Sequence, residues 1–400
     1  MTRRLSSSAL TLLVTVAFVV ACGGSPAAPA PASKPAEPAS SSSASAPASK
    51  PAAQPDKPAA PAAQPSQPAK AAAPYSEKPT TKTKLTFVYP SDSLVYAAVF
   101  IANAKGYLAD EGFELEMIKT GGGAKVISAL VGGSAQLGIT EYGDVFGAAE
   151  QKQPVLGFAA TTIESPQAIV VKKKMLQERG VDASSPLDKK LAALKGMKIA
   201  ITTPGSGTDS VARFALRKAN LDPERDATIV NSGSAPNILA AFINGQVDAF
   251  SQVSPTIELG VARGDGVVFI DTRAGELADL RGRISFAVMA TKDYAEKNPE
   301  IVARFTKAIW RSLKLIHENL ADAKETVRPL LLGEGMDQKL YDEMWSTNLK
   351  TFPKTPEMGN KEVMINRDFR DVVIGKKSDT PYDLVATNKP YDAAKLALGY

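Results

Sequence analysis

From residue 85 onward, short runs of β-branched and aromatic residues alternate with stretches whose apolar positions recur every three or four residues. That alternation predicts an α/β chain with largely parallel sheets. Residues 85–89, 113–118, 136–140, 167–171 and 198–202 read as strands. The first leads through Pro90 and Ser91 into a helix carrying Val95, Val99 and Ala102, and the second through Thr120 into a helix carrying Val126, Ile127 and Leu130. The fifth opens a strand–loop–helix unit turning on residues 203–208, with Val211, Phe214, Ala215 and Lys218 helically spaced behind it. Residues 298–320 and 339–349 predict amphipathic helices.

One pattern occurs twice. Residues 121–133 form a small-residue loop, an apolar-striped helix and a closing glycine, with Gln136 before a strand. At an offset of 112, residues 233–245 repeat the arrangement ahead of Asp248. The echo predicts two similar lobes, each contributing a helix N-terminus, with a cleft between them.

The N-terminal part follows another rule. Residues 23–80 contain no Val, Ile, Leu, Met, Phe or Trp, yet hold 14 of the 28 prolines. A segment with nothing apolar larger than Ala and a single Tyr cannot offset its ordering entropy, so it reads as an unfolded tether. Extended as polyproline II it would reach about 180 Å, and as a coil it would average about 40–45 Å. Ahead of it, Arg3 and Arg4 precede a mostly apolar run over residues 9–21. That run is too short to span a bilayer, which needs about 20 residues, and reads as a secretory signal. It ends in Val19, Val20, Ala21 and Cys22, followed by Gly23 and Gly24, and is similar to the lipobox of bacterial lipoproteins. The similarity implies cleavage before Cys22 and lipidation of its sulfur, which would anchor the chain to a membrane. The expected divisions are a signal over 1–21 and a lipidated tether over 22–82.

Composition then removes function classes. With 47 Lys+Arg against 42 Asp+Glu, the net charge of +5 is too small for a general nucleic-acid binder. A single Cys excludes an intrachain disulfide and Cys-based zinc sites, and a single His removes most nucleophile–His catalysis. Residues 205–210 look like a dinucleotide loop, but Ser210 stands where the third glycine belongs, so no cofactor is expected. His317, beside Trp310, Leu313 and Leu320 at helical spacing, reads as a packing or surface residue.

Candidate contacts come from the loops that precede helices. A helix N-terminus presents unpaired N–H groups and about half a positive charge, so it can hold an anion without Lys or Arg. The loop glycines Gly122 and Gly123, the run Gly205, Ser206, Gly207 and Thr208, and Ser234 are the candidates. A helix-capping role competes for Ser206 and Thr208. Tyr96 and Tyr142 either cover a ligand or pack between helices. Ser254 and Ser251 follow a strand beginning near Val247 and are further candidates. Glu141 and Asp144 are expected to face solvent; turned into the cleft, they would imply a ligand with a cationic or N–H-rich part.

The order of these elements resembles the type II periplasmic solute-binding proteins, in the branch holding sulfonate-, taurine- and nitrate-binding proteins and the fungal thiamine-pyrimidine synthases. The resemblance rests on residues 100–113, which contain Gly106, Tyr107, Glu111 and Gly112, and on residues 129–138, 194–200, 203–208 and 244–249. It implies a two-lobed α/β Venus-flytrap closing over one small molecule. Lobe one would be 83–170 plus 285–400 and lobe two 171–284, with crossovers near residues 167–172 and 283–290. It also implies first-lobe ligand contacts at Ser91 and Ser93, a monomer, and docking on an ABC permease outside the cytoplasmic membrane. The expected ligand is a small anion such as a sulfonate or nitrate, with a pyrimidine-like vitamin precursor as the alternative. A sensing module on the same fold is a third reading. An enzyme like the pyrimidine synthases is disfavoured because Cys22 is the only cysteine.

Overall fold

The computed structural model describes Tyr75 and residues 79–331 and 336–400. The signal run, Cys22 and residues 23–74 of the tether lie outside the described residues.

Among the described residues, ten strands form two five-stranded sheets. They are β1 Thr83–Tyr89, β2 Phe113–Lys119, β3 Leu137–Glu141, β4 Val155–Ile163, β5 Gln167–Lys172, β6 Lys198–Ile201, β7 Thr228–Asn231, β8 Ala249–Val253, β9 Gly266–Asp271 and β10 Ile284–Thr291. The first sheet has the order β2-β1-β3-β10-β4 and the second β7-β6-β8-β5-β9. In the first, β1 runs parallel to β2 and β3, while β10 is antiparallel to both its neighbours. In the second, β6 runs parallel to β7 and β8, while β5 is antiparallel to both its neighbours. The sheets therefore repeat one topology, each taking its antiparallel member directly after a crossover. The central strands are apolar on both faces because helices cover both sides of each sheet.

The echo read from the sequence is structural. Helix Gly123–Val131 and strand β3 match helix Ala235–Ile243 and strand β8 at the same offset of 112. Gly121 and Gly233 both adopt positive φ, +84° and +79°, at equivalent turns into these helices. A side chain would strain either turn. Gly121 of one loop also approaches the Gly233 carbonyl of the other, so the repeated loops meet across the cleft.

Two short segments cross between the sheets: residues 164–166 lead into β5, and residues 281–283 lead into β10. They lie side by side, with Gly282 N donating to Glu164 Oε2 at 3.0 Å and Ser285 Oγ donating to the Glu164 carbonyl. Strand β5, beginning at Gln167, lies wholly in the second sheet. The C-terminal part packs on both lobes. Helix Pro299–Glu318 lies against the core under β1 and β4, with Phe305 stacked on Phe87 at 5.8 Å. Helix Asn360–Ile374 instead packs on helix Gly207–Lys218, where Phe369 meets Phe214 at 5.1 Å and Arg217 Nε donates to the Val373 carbonyl. Among the described residues, no helix is long and apolar enough to cross a membrane.

Candidate functional site

A cavity of about 50 Å³ lies between the sheets, lined from lobe one by Pro90, Ser91, Tyr96, Gly123, Thr140, Glu141 and Phe286, and from lobe two by Gln167, Thr202, Ser206, Gly207, Thr208, Gln252 and Val253. One water needs about 10–15 Å³ by this measure, so the space admits a small polyatomic group with the lobes as they stand.

The lobe-two wall is the start of helix Gly207–Lys218. Ser206 is its N-cap, in extended conformation, and its Oγ accepts from Asp209 N. Ser206, Thr208 and Thr202 hydroxyls form a ring, with O···O separations of 2.9, 3.0 and 2.9 Å. Capping and cleft exposure thus coexist in Ser206: the hydroxyls satisfy one another and can turn to a ligand oxygen. Asp209 is drawn away from the cavity by Gly205 N and by Arg213 Nε at 2.7 Å. Arg213 is held in turn by Glu224. Gln252 Oε1 accepts from Val253 N, and Gln167 Oε1 accepts from Arg283 Nη2. That leaves the NH₂ end of each amide as the donor available to the cavity.

Glu141 and Asp144 correct the expectation of solvent exposure: they are 3% and 7% exposed. Charges are rarely buried without partners, and Glu141 has two. Its Oε1 lies 2.7 Å from Arg283 Nη1, and its Oε2 accepts from Gly143 N at 2.8 Å. Arg283 is fully buried, bonded to Asn366 Oδ1 and stacked over the Phe369 ring at 4.5 Å. Burial pushes the Glu141 carboxyl up from its ordinary value, opposed by Arg283 and the Gly143 amide. Asp144 Oδ2 accepts from Thr140 Oγ1 at 2.7 Å, while Oδ1 has no hydrogen-bond partner. Burial, then the nearby Glu141, holds the Asp144 carboxyl well above the usual carboxylate range. Asp144 also sits in the first turn of helix Gly143–Glu150. That position favours ionisation by about 0.3–1 kcal/mol, a smaller effect than the desolvation of a fully buried carboxyl. Burial wins.

The sequence candidates divide cleanly. Ser91, Tyr96, Gly123, Ser206, Gly207 and Thr208 line the cavity. Burial and the Asp144 and Glu141 carboxyls keep the Tyr96 phenol protonated far above its ordinary range, so it remains a donor. Ser93 is buried behind Ser91, 2.9 Å from its hydroxyl. Gly122 lies opposite Thr203, and Gly205 is an exposed turn glycine with φ +77°. Ser234 caps helix Ala235–Ile243. Tyr142 is fully buried in the lobe-one core, where its hydroxyl donates to the Val385 carbonyl at 2.5 Å. Ser254 and Ser251 are also fully buried; Ser254 joins an inter-lobe network, donating to Glu258 Oε1 and accepting from Asn348 Nδ2 at 2.9 Å. His317 bonds the carbonyls of Phe352 and Pro353, outside the cavity. The sequence reading passed over Thr140, Gln167, Thr202, Gln252 and Phe286. Of these, Thr140 and Thr202 stand at the carboxyl ends of parallel strands, the place where α/β folds gather ligand contacts. Among the described residues, no cluster of His, Cys, Asp and Glu could hold a metal ion.

Comparison with known proteins places this architecture. A taurine-binding periplasmic protein of Escherichia coli (strain K12) is 30% identical over 211 residues, covering 52% of this chain and 59% of the relative. YtlA of Bacillus subtilis (strain 168), named as a binding protein, is 24% identical over 253 residues, covering 62% of this chain and 70% of the relative. Among solved structures, a Bordetella bronchiseptica RB50 protein superposes with TM-score 0.70 at 24% identity, over 80% of this chain and 99% of its own. The alkanesulfonate-binding protein of Xanthomonas axonopodis pv. citri, bound to MOPS, has TM-score 0.61 at 18% identity, over 78% and 100%. These likenesses show the two-lobed periplasmic-binding fold. The NMT1-like family model matches residues 76–331, more than half of the sequence, and the chain belongs to that family.

Proposed function

We propose that the chain is an extracytoplasmic solute-binding protein that captures a small oxyanion in this cleft and presents it to an ABC import permease. The observation that carries the ligand class is the set of donor-bearing groups that line the cavity. Hydroxyls of Ser206, Thr208, Thr202, Ser91 and Tyr96, amides of Gln167 and Gln252, and the N-terminus of helix Gly207–Lys218 line the cavity, and each can donate to a ligand oxygen. Among the cavity-lining residues the carboxylate is Glu141, whose Oε1 is ion-paired with Arg283 and whose Oε2 accepts from Gly143 N. A donor-rich cavity with its acceptor already occupied fits a sulfonate, nitrate or carboxylate head. A pyrimidine would require free acceptors as well. The relatives named for taurine and alkanesulfonate binding support the same class and the transport role. The lipobox-like end at Cys22 supports a membrane anchor, with residues 23–80 as its tether. The lobes would divide at the crossovers 164–166 and 281–283, a few residues ahead of the boundaries at 170 and 284 expected from the sequence, because β5 pairs from Gln167 onward in the second sheet.

A thermal-shift screen of the full chain against methanesulfonate, taurine, nitrate, benzoate and an aminopyrimidine tests the reading. A ligand at 100 times its Kd adds about 2.7 kcal/mol of stability, a rise of several degrees in Tm. The expected hits are oxyanions. A rise with the aminopyrimidine alone would contradict the ligand class.

A further inference from the structure

The acid–base count beside the cleft is unbalanced. Two buried carboxyls, Glu141 and Asp144, share one fully buried guanidinium, and Arg283 is paired with Glu141. Arg370, from helix Asn360–Ile374, is paired with Glu150 at 2.9 Å. Asp144 has no ion-pair partner among the described residues; it is held by the Thr140 hydroxyl on one oxygen, and the other oxygen has no hydrogen-bond partner. Its carboxyl nonetheless stands directly behind the cavity wall: a Cβ on Gly123 would lie 2.3 Å from Asp144 Oδ2 and 2.4 Å from Thr140 Oγ1, and both Gly123 and Thr140 line the cleft. The groups that face it are Glu141 at the end of β3, the Tyr96 phenol, Arg283 from the crossover, and Arg370. Were Asp144 ionised, an incoming anion would meet an uncompensated negative charge behind Gly123.

We propose that Asp144 carries a proton at neutral pH and that this proton admits the anion, so that ionisation of Asp144 expels it. The inference rests on the oxyanion reading of the cleft. Asp144 is a positioning residue that acts through charge, without touching the ligand, and it sets which ligand charge the cleft accepts at a given pH. The burial that raises its carboxyl supports this assignment. Because the native state keeps a proton that the unfolded chain has lost, stability falls with rising pH from the unfolded value, about 4 for Asp, up to the native one.

Two arms test the proposal on the full chain. In the ligand-free arm, denaturation of wild type and Asp144→Asn is followed from pH 5 to 9. The variant should gain stability relative to wild type as pH rises; parallel curves would overturn the proton assignment. In the second arm, methanesulfonate affinity is measured over the same range. Wild type should lose affinity by up to tenfold per pH unit once Asp144 ionises, and Asp144→Asn should show a flat profile. A wild-type profile that stays flat over the pH interval where the ligand-free arm shows Asp144 titrating overturns the coupling. Calorimetry of wild type alone, in buffers of different ionisation enthalpy, should show proton uptake on binding where Asp144 titrates. No methanesulfonate binding at any pH would overturn the coupling and the oxyanion reading beneath it, while the ligand-free arm still locates the proton.

Discussion

Arg283→Met should destabilise the protein by about 3–5 kcal/mol at pH 7, the cost of leaving a buried charge without its partner. The substitution strands Glu141, which is 3% exposed and would keep only the Gly143 amide. It also removes the bond to Asn366 and the stacking on Phe369, which tie the crossover to helix Asn360–Ile374. Glu141 can relieve the loss by taking up a proton, and that sets the pH dependence. Its carboxyl, already raised by burial, rises further once Arg283 is gone. The unfolded chain releases the proton near pH 4.3, so the penalty grows as pH rises above that value and shrinks toward pH 5. Glu141→Gln in the same chain should recover part of the loss, since a neutral amide leaves no stranded charge. Denaturant titration at pH 5 and pH 7 measures both effects. An equal loss at the two pH values would show that Glu141 is not the stranded group.

Gly207→Ala should weaken ligand binding about 100-fold, equivalent to about 2.7 kcal/mol, without lowering the stability of the fold. A Cβ at Gly207 would stand 2.4 Å from Glu141 Cγ and 2.6 Å from its Cβ, closer than carbon atoms pack. Glu141 cannot swing aside readily, because Arg283 and Gly143 fix its carboxylate. Gly207 belongs to lobe two and Glu141 to β3 of lobe one, so separation of the lobes relieves the clash. Within its own helix Ala is tolerated, since Gly207 opens the helix and does not need positive φ. The expected signature is a normal or raised Tm, lost affinity, and a larger radius of gyration by X-ray scattering. Unchanged affinity would mean that the lobes do not need this approach to hold ligand.

Much of the fold could be read in the sequence because it is locally encoded. The glycines and apolar stripe of residues 121–133 recur at residues 233–245 with one backbone geometry, so the two-lobed repeat was visible before any contact was known. The start of helix Gly207–Lys218 was legible for the same reason: a strand, a glycine-rich turn and hydroxyl residues are all near neighbours in sequence. What escaped is non-local. Strand β4 and strand β10 are buried on both faces and show no alternation that would mark them as partners. Glu141 and Asp144 were expected in solvent because acids usually stay there. What takes Glu141 inside is Arg283, distant in sequence and brought beside it only when β10 enters the first sheet between β3 and β4. Gln167 and Gln252 reach the cavity from neighbouring register positions at the start of β5 and the end of β8, with no motif around them to announce a ligand contact. Tyr142 follows β3 directly, much as Ser254 follows β8, yet the core claims it through Val385.

Calorimetric titration of the full chain with methanesulfonate and nitrate, in wild type and in Ser206→Ala with Thr208→Ala, tests the central claim most directly. Hydrogen bonds to a charged group contribute about 1.5–3 kcal/mol each, so wild type should bind saturably and the double variant at least tenfold more weakly. Equal binding by both proteins, or binding of an aminopyrimidine with neither anion, would contradict an oxyanion site at the start of helix Gly207–Lys218.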